Sequence, residues 1–299
     1  MSNFLIIVIA LLSGYLLRYF HKVFSLPQNT YQGVNVFVLY ISLPAMALYY
    51  VPKIQFSWQV VLPLSLGLMI LLGALVFFGL CQKLLKYNRS VLGALVLSCG
   101  FGNISFLGYP LVEAYYGKAG IQTAVLIDQG TFFVLALMGI PLAVFFAGGR
   151  SSAKLVLRKL LLFPSFGAFL VGLSLAIFGV DFPESMQSTL KRFADTLTPL
   201  ALFSVGWQMQ FKNLQIKWQY YSLGFFYKLF LAPFVLYVAL GNDFTLSEKV
   251  VVLQSAMPPM ITSSLIASEQ GLEPPLTNFL VSVGIPISLL STWIWYVCL

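Results

Sequence analysis

Charged residues are scarce in this sequence. Asp, Glu, Lys and Arg make up 9% of its 299 residues, whereas an ordinary soluble domain carries about 25%. Hydrophobic residues make up 59%, and the mean hydropathy is +0.90. A water-soluble protein of this length presents a polar exterior and could not hide so much apolar surface. The composition therefore excludes a soluble globular domain and predicts an all-α integral membrane protein.

The sequence also lacks the motifs of catalytic and metal sites. Its three cysteines, Cys81, Cys99 and Cys298, lie in or beside apolar stretches at no metal-ligand spacing. There is no phosphate-binding Gly-rich loop with a Lys and no G-x-S-x-G elbow. Lys and Arg lie between apolar segments and do not form one basic face. We therefore expect no enzyme activity, cofactor, metal or nucleic-acid partner, and any transport is expected to be secondary or facilitated.

Long apolar runs bounded by charges, Pro or Gly predict ten membrane-spanning helices, each of which needs about 20 residues. A basic segment over 148–159 divides them into two five-helix repeats, 1–147 and 160–299. Because five is odd, the repeats have opposite orientations, which is typical of the inverted repeats of transporters. The predicted helices lie at 4–20, 34–52, 58–81, 91–116, 121–147, 160–180, 191–210, 219–240, 249–270 and 275–298.

The distribution of basic residues predicts the orientation in the membrane. Of the 17 Lys and Arg residues, eleven fall on one side of the predicted helices, five fall on the other, and Lys228 lies within a helix. The positive-inside rule places the larger group in the cytoplasm and both termini outside the cytoplasm. An even number of helices also requires both termini on the same side, so the two predictions agree.

The fourth and ninth predicted helices contain residues that break a helix. Gly, Asn and Pro are concentrated between Ser98 and Pro110, and two consecutive prolines follow Met257. Gly is a poor helix former, and Pro removes a backbone hydrogen bond. In lipid, the unpaired backbone groups of such a break must face protein or a water-filled cavity. One kinked helix is usually structural, but two breaks at matching positions indicate the binding site of a transporter.

The breaks predict which residues contact the substrate. Helix N-termini within the membrane carry partial positive charge and free N–H groups, which suit an anionic ligand. Polar side chains beside the breaks could add hydrogen bonds. The candidate substrate-binding residues are Asn103, Ile104, Ser105, Pro110, Pro258, Pro259, Thr262 and Ser263.

Three ionisable side chains, Glu113, Asp128 and Lys228, lie within predicted helices. Charges inside a membrane are costly and usually pair with one another or serve transport. We expect that Lys228 either pairs with Asp128 or Glu113, or offers its positive charge to an anionic substrate. The alternative is a lysine whose ammonium reaches an interface along its apolar stem.

Four stretches carry a resemblance to a known family. They are Ser42–Ala45, Asn103–Leu111, Pro199–Gly206, and the Pro258–Pro259 pair with the polar run after it. The Asn-x-x-Phe-x-Gly-x-Pro-Leu pattern and the Pro-Leu-Ala-Leu-Phe run are the more specific of these. In them, and in order over essentially the whole chain, the sequence resembles the auxin efflux carrier family, specifically its short bacterial members.

The resemblance implies a fold similar to those of bile-acid symporters and sodium–proton antiporters. Predicted helices 1, 2, 6 and 7, which contain Pro44 and Pro199, would form a scaffold that faces the partner of a homodimer. Helices 3–5 and 8–10 would form a moving core in which the interrupted helices cross. Members of the family carry organic anions. This chain departs from the related sodium-coupled carriers because it has no acidic cluster at the crossing for a sodium ion.

These expectations combine into one function. We expect a secondary transporter of small organic anions, such as carboxylates or auxin-like acids, in the bacterial inner membrane. It would work by alternating access, and an inside-negative membrane would favour export, because each unit charge gains about 2.3 kcal/mol per 100 mV. Two alternatives remain open: a ten-helix drug/metabolite-type carrier of neutral or cationic solutes, and a transporter-like sensor that binds its ligand without flux.

Overall fold

The fold is known from a computed structural model, which describes residues 2–54, 58–149, 163–209, 218–241 and 243–299. Within these residues all regular secondary structure is helical, and the only β-type pairing is one isolated bridge between Gly102 and Pro259. The predicted all-α class is therefore confirmed. The basic segment predicted over 148–159 lies outside the described residues from residue 150 onwards.

The helices before the central segment follow the predicted apolar runs. π-helical turns at Val38–Ser42 and Leu135–Gly139 join successive α-helices, and a third, Ile104–Gly108, precedes α6. The α-helices are α1 Ser2–Tyr19, α2 Thr30–Phe37, α3 Leu43–Tyr50, α4 Val61–Leu85, α5 Arg89–Cys99, α6 Tyr109–Tyr116, α7 Ile121–Val134 and α8 Ile140–Phe146.

The helices after the central segment repeat this mixture of continuous and interrupted elements. A π-helical turn at Phe226–Leu231 joins α12 to α13. The α-helices are α9 Pro164–Phe178, α10 Glu184–Asp195, α11 Leu197–Gln208, α12 Trp218–Phe225, α13 Ala232–Leu240, α14 Leu246–Ser255, α15 Ile261–Glu269 and α16 Pro274–Cys298.

Among the described residues, each π-helical turn ends two residues before a proline. Pro44, Pro110, Pro141 and Pro233 follow the four turns at this spacing. A proline has no N–H, and its ring clashes with the carbonyl four residues earlier. The turn before each proline is therefore widened to the i→i+5 pattern, which keeps the helix continuous past the proline. The proline positions in the sequence thus explain where these helices widen.

In the part of the chain that the structure describes, five apolar helical stretches are long enough to cross a membrane, and the chain is an integral membrane protein. They are Thr30–Lys53, Trp58–Leu85, Ile104–Phe146, Trp218–Leu240 and Pro274–Cys298. Shorter apolar helices lie at Leu5–Tyr19, Arg89–Cys99 and Pro164–Phe178. These lengths do not by themselves establish ten spans in an inverted repeat, which remains a prediction.

The longest of these stretches folds back on itself. Ser105 Oγ lies 2.5 Å from Asp128 Oδ1, although a straight helix would separate residues this far apart in sequence by about 35 Å. The reversal occurs at Gly117, whose φ is 68°, and continues through the 3₁₀ turn Gly117–Gly120. Ile104–Phe146 therefore contributes two antiparallel segments, at the place where the sequence predicts the boundary between the fourth and fifth helices.

Helix contacts fall into two groups. α1 packs on α11, and α3 packs on α9 and α10, so the segments predicted as the scaffold touch one another. α4 packs on α5 and α7, and α14 packs on α7, α13 and α16. The π turn Ile104–Gly108 is the principal contact of the second group with α11. The division into a scaffold and a moving core remains a prediction.

Glycines allow α1 and α11 to approach very closely. A Cβ at Gly14 would lie 2.1 Å from the carbonyl oxygen of Phe203, and a Cβ at Gly206 would lie 2.1 Å from that of Leu11. Close approach through small residues is a common way for helices to associate in lipid, where the hydrophobic effect does not drive them together. This crossing fixes the first helix of the chain against the helix that borders the candidate site.

We expect Gly206→Val to destabilise the fold, because its side chain would collide with the backbone of α1. Overpacking costs about 1–3 kcal/mol, and the apparent midpoint of thermal unfolding in detergent should fall. Gly79→Val is the matched control, because a Cβ at Gly79 in α4 would have no neighbour within 4 Å. Equal unfolding midpoints for the two variants would contradict the close helix crossing.

Candidate functional site

The two interrupted helices meet at their breaks. α5 ends at Cys99 and α14 ends at Ser255, and each is followed by a non-helical segment, 100–103 and 256–260 respectively. The amide of Asn103 donates to the carbonyl of Pro258 at 2.9 Å, and the amide of Met260 donates to the carbonyl of Phe101 at 3.1 Å. This antiparallel bridge satisfies backbone groups that would otherwise be unpaired inside the membrane.

The prolines reduce the number of backbone groups that need a partner. Pro258 and Pro259 have no N–H, so the second break presents fewer donors than an ordinary segment of its length. The carbonyl of Pro258 accepts the bond from Asn103, and Pro259 forms the bridge with Gly102. The structure therefore places Asn103 directly against the two prolines that the sequence assigns to the site.

Two amide side chains at the crossing are buried with unpartnered polar atoms. Asn103 is 2% exposed, and its Nδ2 has no hydrogen-bond partner among the described residues. Gln254, in the last turn of α14, is 0% exposed, and in the same part of the chain neither its Nε2 nor its Oε1 has a partner. A buried polar atom without a partner costs about 1–3 kcal/mol, and such groups in a folded protein call for an explanation.

Lys228 lies at the same crossing. It is part of the π turn Phe226–Leu231 and is 0% exposed, and its Nζ donates to the carbonyl of Ser255 at 2.8 Å. That carbonyl ends α14, where the helix dipole favours a positive charge. Lys228 Nζ also lies 3.2 Å from where a Cβ on Gly102 would be. The ammonium therefore touches both breaks, from a third helix.

The pairing predicted for Lys228 is wrong. Lys191 and Asp195 form an ion pair at 2.6 Å on exposed α10, and within the described residues Lys228 takes part in none. Lys228 bonds to the end of a helix instead of to Asp128 or Glu113. The alternative of an ammonium that reaches an interface is also wrong, because the side chain is fully buried. A helix carbonyl end, which the charge pattern of the sequence does not reveal, competes with the carboxylates for this lysine.

Asp128 instead joins the first break to α9. It accepts a hydrogen bond from Ser105 Oγ at 2.5 Å, and the hydroxyl of Tyr109 also hydrogen-bonds to it. Gln129 Nε2 lies 3.3 Å from Asp128 Oδ2 and 3.1 Å from Ser165 Oγ in α9. A continuous chain of side-chain hydrogen bonds therefore runs from the π turn after Asn103 across to α9.

Glu113 lies on another contact. It is in α6, and Thr198 Oγ1 of α11 donates to its Oε2 at 3.1 Å. The helices that carry Pro44 and Pro199 are linked in a similar way, because Ser42 Oγ lies 2.8 Å from Thr196 Oγ1. The segments that carry the two prolines are therefore joined through hydroxyl groups.

The remaining predicted site residues have different surroundings in the structure. Ile104 and Pro110 are buried in and after the π turn. Ser263 is fully buried, and its Oγ donates to the carbonyl of Met260 at 3.2 Å, three residues back along the chain. Thr262 is exposed on the surface of α15 and is not part of the buried group, and its contact with a substrate stays a prediction. Helix phase decides this difference, since residues one apart on a helix point in different directions.

Sequence reasoning missed three buried polar residues near the crossing. They are Ser98, Gln254 and Ser264, each with a polar side-chain atom that lacks a partner in the described part of the chain. Gln254 could have been recognised as a candidate site residue from the sequence, since it is an amide within an apolar run that ends at a break. In the described ranges, no three His, Cys, Asp or Glu side chains come close enough to hold a metal ion.

Comparison with known proteins assigns the family. A sequence profile described as "membrane transport protein" matches residues 1–296. The chain belongs to the membrane transport protein family. This family corresponds to the auxin efflux carriers, so the resemblance in the sequence is confirmed. Its members are transporters and not enzymes, as the sequence predicts.

Relatives of this membrane transport protein carry equally general names. The uncharacterized transporter MJ1031 of Methanocaldococcus jannaschii is 27% identical, over 99% of this chain and 97% of its own. An uncharacterized transporter of Methanothermobacter thermautotrophicus is 26% identical over 69% of this chain and 67% of its own. The uncharacterized transporter YfdV of Escherichia coli is 24% identical over 68% of this chain and 67% of its own. These similarities support transport across a membrane and do not identify the solute.

We expect Lys228→Met to destabilise this membrane transport protein. Methionine is close to lysine in length, but it leaves the carbonyl of Ser255 without its donor, which costs about 1–3 kcal/mol. The thermal unfolding midpoint of the purified protein should therefore fall, whereas Lys22→Met, at an exposed position, should leave it unchanged. An unchanged midpoint for Lys228→Met would show that the bond to Ser255 contributes nothing to the fold.

Proposed function

We propose that this protein is a secondary transporter of small organic anions such as carboxylates, and that the crossing of the interrupted helices is its substrate site. The observation that carries the proposal is the fully buried side chain of Lys228, which forms no ion pair within the described residues and whose Nζ lies 3.2 Å from where a Cβ on Gly102, the residue before Asn103, would be. A buried charge is costly unless an opposite charge balances it. An anionic substrate supplies that balance.

The hydrogen-bonding capacity of the crossing supports the same substrate class. An ammonium has three N–H donors, and the bond to Ser255 uses one of those of Lys228. Asn103 adds its unpartnered Nδ2. A carboxylate accepts hydrogen bonds at two oxygens, and bonds between charged groups are the stronger kind. The donors on Lys228 and Asn103 therefore suit a carboxylate better than a neutral or cationic solute.

Transport requires this site to open, because Asn103 and Lys228 are buried. The contacts between Glu113 and Thr198, and between Gln129 and Ser165, join the helices of the crossing to α11 and α9. We propose alternating access in which helices 3–5 and 8–10 of the sequence move as a core against a scaffold of helices 1, 2, 6 and 7. These two bonds then break and form again during the cycle.

The distribution of Lys and Arg supports an orientation of the transporter in the membrane. We propose that it lies in a bacterial inner membrane with both termini extracytoplasmic, as the positive-inside rule predicts, and that an inside-negative potential favours export of the anion. We further propose a homodimer formed through the scaffold. Cross-linking of single cysteines placed in α2 should capture a dimer in native membranes, and a purely monomeric protein would contradict this arrangement.

We also propose that Asp128 carries the coupling proton. As a carboxylate it accepts bonds from Ser105 and Gln129, and Tyr109 of α6 is the titratable side chain that bonds to it within the described residues. A protonated carboxyl is itself a donor and competes with these bonds. Protonation would therefore loosen the chain of bonds that ends at Ser165 in α9.

Asp128→Asn should uncouple transport from pH. If one proton is exchanged for each anion, so that charge still moves across the membrane, accumulation by the native protein in liposomes rises by up to about tenfold per unit of pH gradient at fixed voltage. The Asn variant should accumulate the anion equally with and without the gradient, whereas Asp181→Asn, at an exposed position, should behave like the native protein. A variant at Asp128 that keeps the full response would remove this residue from the coupling step.

The substrate class is tested by charge movement in proteoliposomes. Mono- and dicarboxylates, including an auxin-like aromatic acid, are applied to native protein and to Asn103→Ala. We expect currents with particular anions and a loss of at least about tenfold in the apparent affinity of the variant, since a hydrogen bond to a charged group contributes about 1.5–3 kcal/mol. Asn29→Ala, at an exposed position, serves as the matched control.

Other outcomes of this experiment favour other functions. Currents with organic cations, or flux of neutral solutes with no response to anions, would indicate a drug/metabolite-type carrier. Anion binding that raises the thermal stability, without current and without radiolabelled flux, would indicate a sensor with a transporter-like fold. Either outcome contradicts anion transport.

A further inference from the structure

The amide of Gln254 is fully buried at the crossing, and neither of its two polar atoms, Nε2 and Oε1, has a partner among the described residues. Exchanging the two atoms by a flip of the amide would leave the same result. The side chain therefore presents one unused acceptor and unused donors to the interior, whichever way the amide is turned.

Packing holds this amide at the meeting point of the two halves. A Cβ at Gly108 would lie 2.2 Å from Gln254 Oε1, so Gly108 leaves the space that the amide occupies in the π turn after the first break. The carbonyl of Gln254 lies 3.4 Å from where a Cβ on Gly102 would be. The next residue, Ser255, binds Lys228.

Donors and acceptors at the crossing are not matched to a carboxylate alone. Asn103 Nδ2, the ammonium of Lys228 and Gln254 Nε2 are donors, and a carboxylate can accept from all of them. Gln254 Oε1 is an acceptor, and a carboxylate has no hydrogen to give it. This oxygen requires a hydroxyl or N–H group on the ligand.

We propose that Gln254 is a substrate-binding residue that selects organic anions with a hydrogen-bond donor, a hydroxyl or an N–H, close to the carboxylate. The inference rests on the anion transport proposed above and adds the substrate subclass and the residue that recognises it. A site that bonds to a substrate hydroxyl discriminates strongly against the analogue without it, because its own polar group is left unpaired. The same acid without the hydroxyl would leave Gln254 Oε1 in that state.

The test uses acids that differ by one hydroxyl, lactate against propionate and malate against succinate. Transport by proteoliposomes of the native protein should favour the hydroxy acid of a transported pair by about tenfold or more in apparent affinity. Gln254→Met keeps the length of the side chain and removes both polar atoms, so the preference should fall to about twofold or less while the unsubstituted acid is still carried. Gln187→Met, in α10 and away from the crossing, should keep the native preference.

A second variant tests the same point without removing the amide. Gly108→Ala places a methyl group against Gln254 Oε1 and should also abolish the preference for the hydroxy acid, even where Gln254→Met yields too little folded protein. Transport of both acids by the native protein with equal affinity would overturn the inference and leave anion transport intact. If folded Gln254→Met kept the full native preference for the hydroxy acid, the inference would also be overturned and anion transport would stand. If the native protein carries no anion at all, anion transport itself fails, and the inference fails with it.

Discussion

Two backbone hydrogen bonds, between Asn103 and Pro258 and between Met260 and Phe101, make the rest of this structure possible. A helix that stops inside a membrane leaves N–H and C=O groups without water, at a cost of several kcal/mol for each group. Because each break supplies partners for the other, both helices can stop at the same depth. Because the backbone groups of the two breaks bond to each other, the polar side chains around them are not needed to bond to the backbone and remain available to bind a ligand.

The local chemistry of this arrangement is readable in the sequence. Clustered glycines with Asn103, and the Pro258–Pro259 pair, predict interruptions at the positions where α5 and α14 end. The response of the intact helices to Pro44 and Pro233 is less predictable, because a proline in a membrane helix can be accommodated by a kink or by a widened turn. The structure shows π-helical turns before both. Such a choice depends on neighbouring helices as well as on the proline.

Contacts between residues that are far apart in the sequence could not be predicted from it. Lys228 was expected to pair with a carboxylate because opposite charges attract most strongly in a medium of low dielectric constant. Its ammonium instead lies at the carbonyl end of α14, where a helix dipole and a free carbonyl offer a nearer partner. Gln254 was overlooked for a related reason. Its importance depends on Gly108, which belongs to the other half of the chain and whose proximity follows only from the crossing.

The location of the site bears on how binding could drive movement. Asn103 is followed directly by the π turn Ile104–Gly108, and Ser105 of that turn begins the chain of bonds to Asp128, Gln129 and Ser165. Glu113, in the helix that continues from the turn, bonds to α11. A ligand shifts a conformational equilibrium only by the difference in its affinity for the two states. One short element both borders the proposed substrate site and holds the neighbouring helices, so that difference can act at the helix contacts directly and needs no long pathway through the protein.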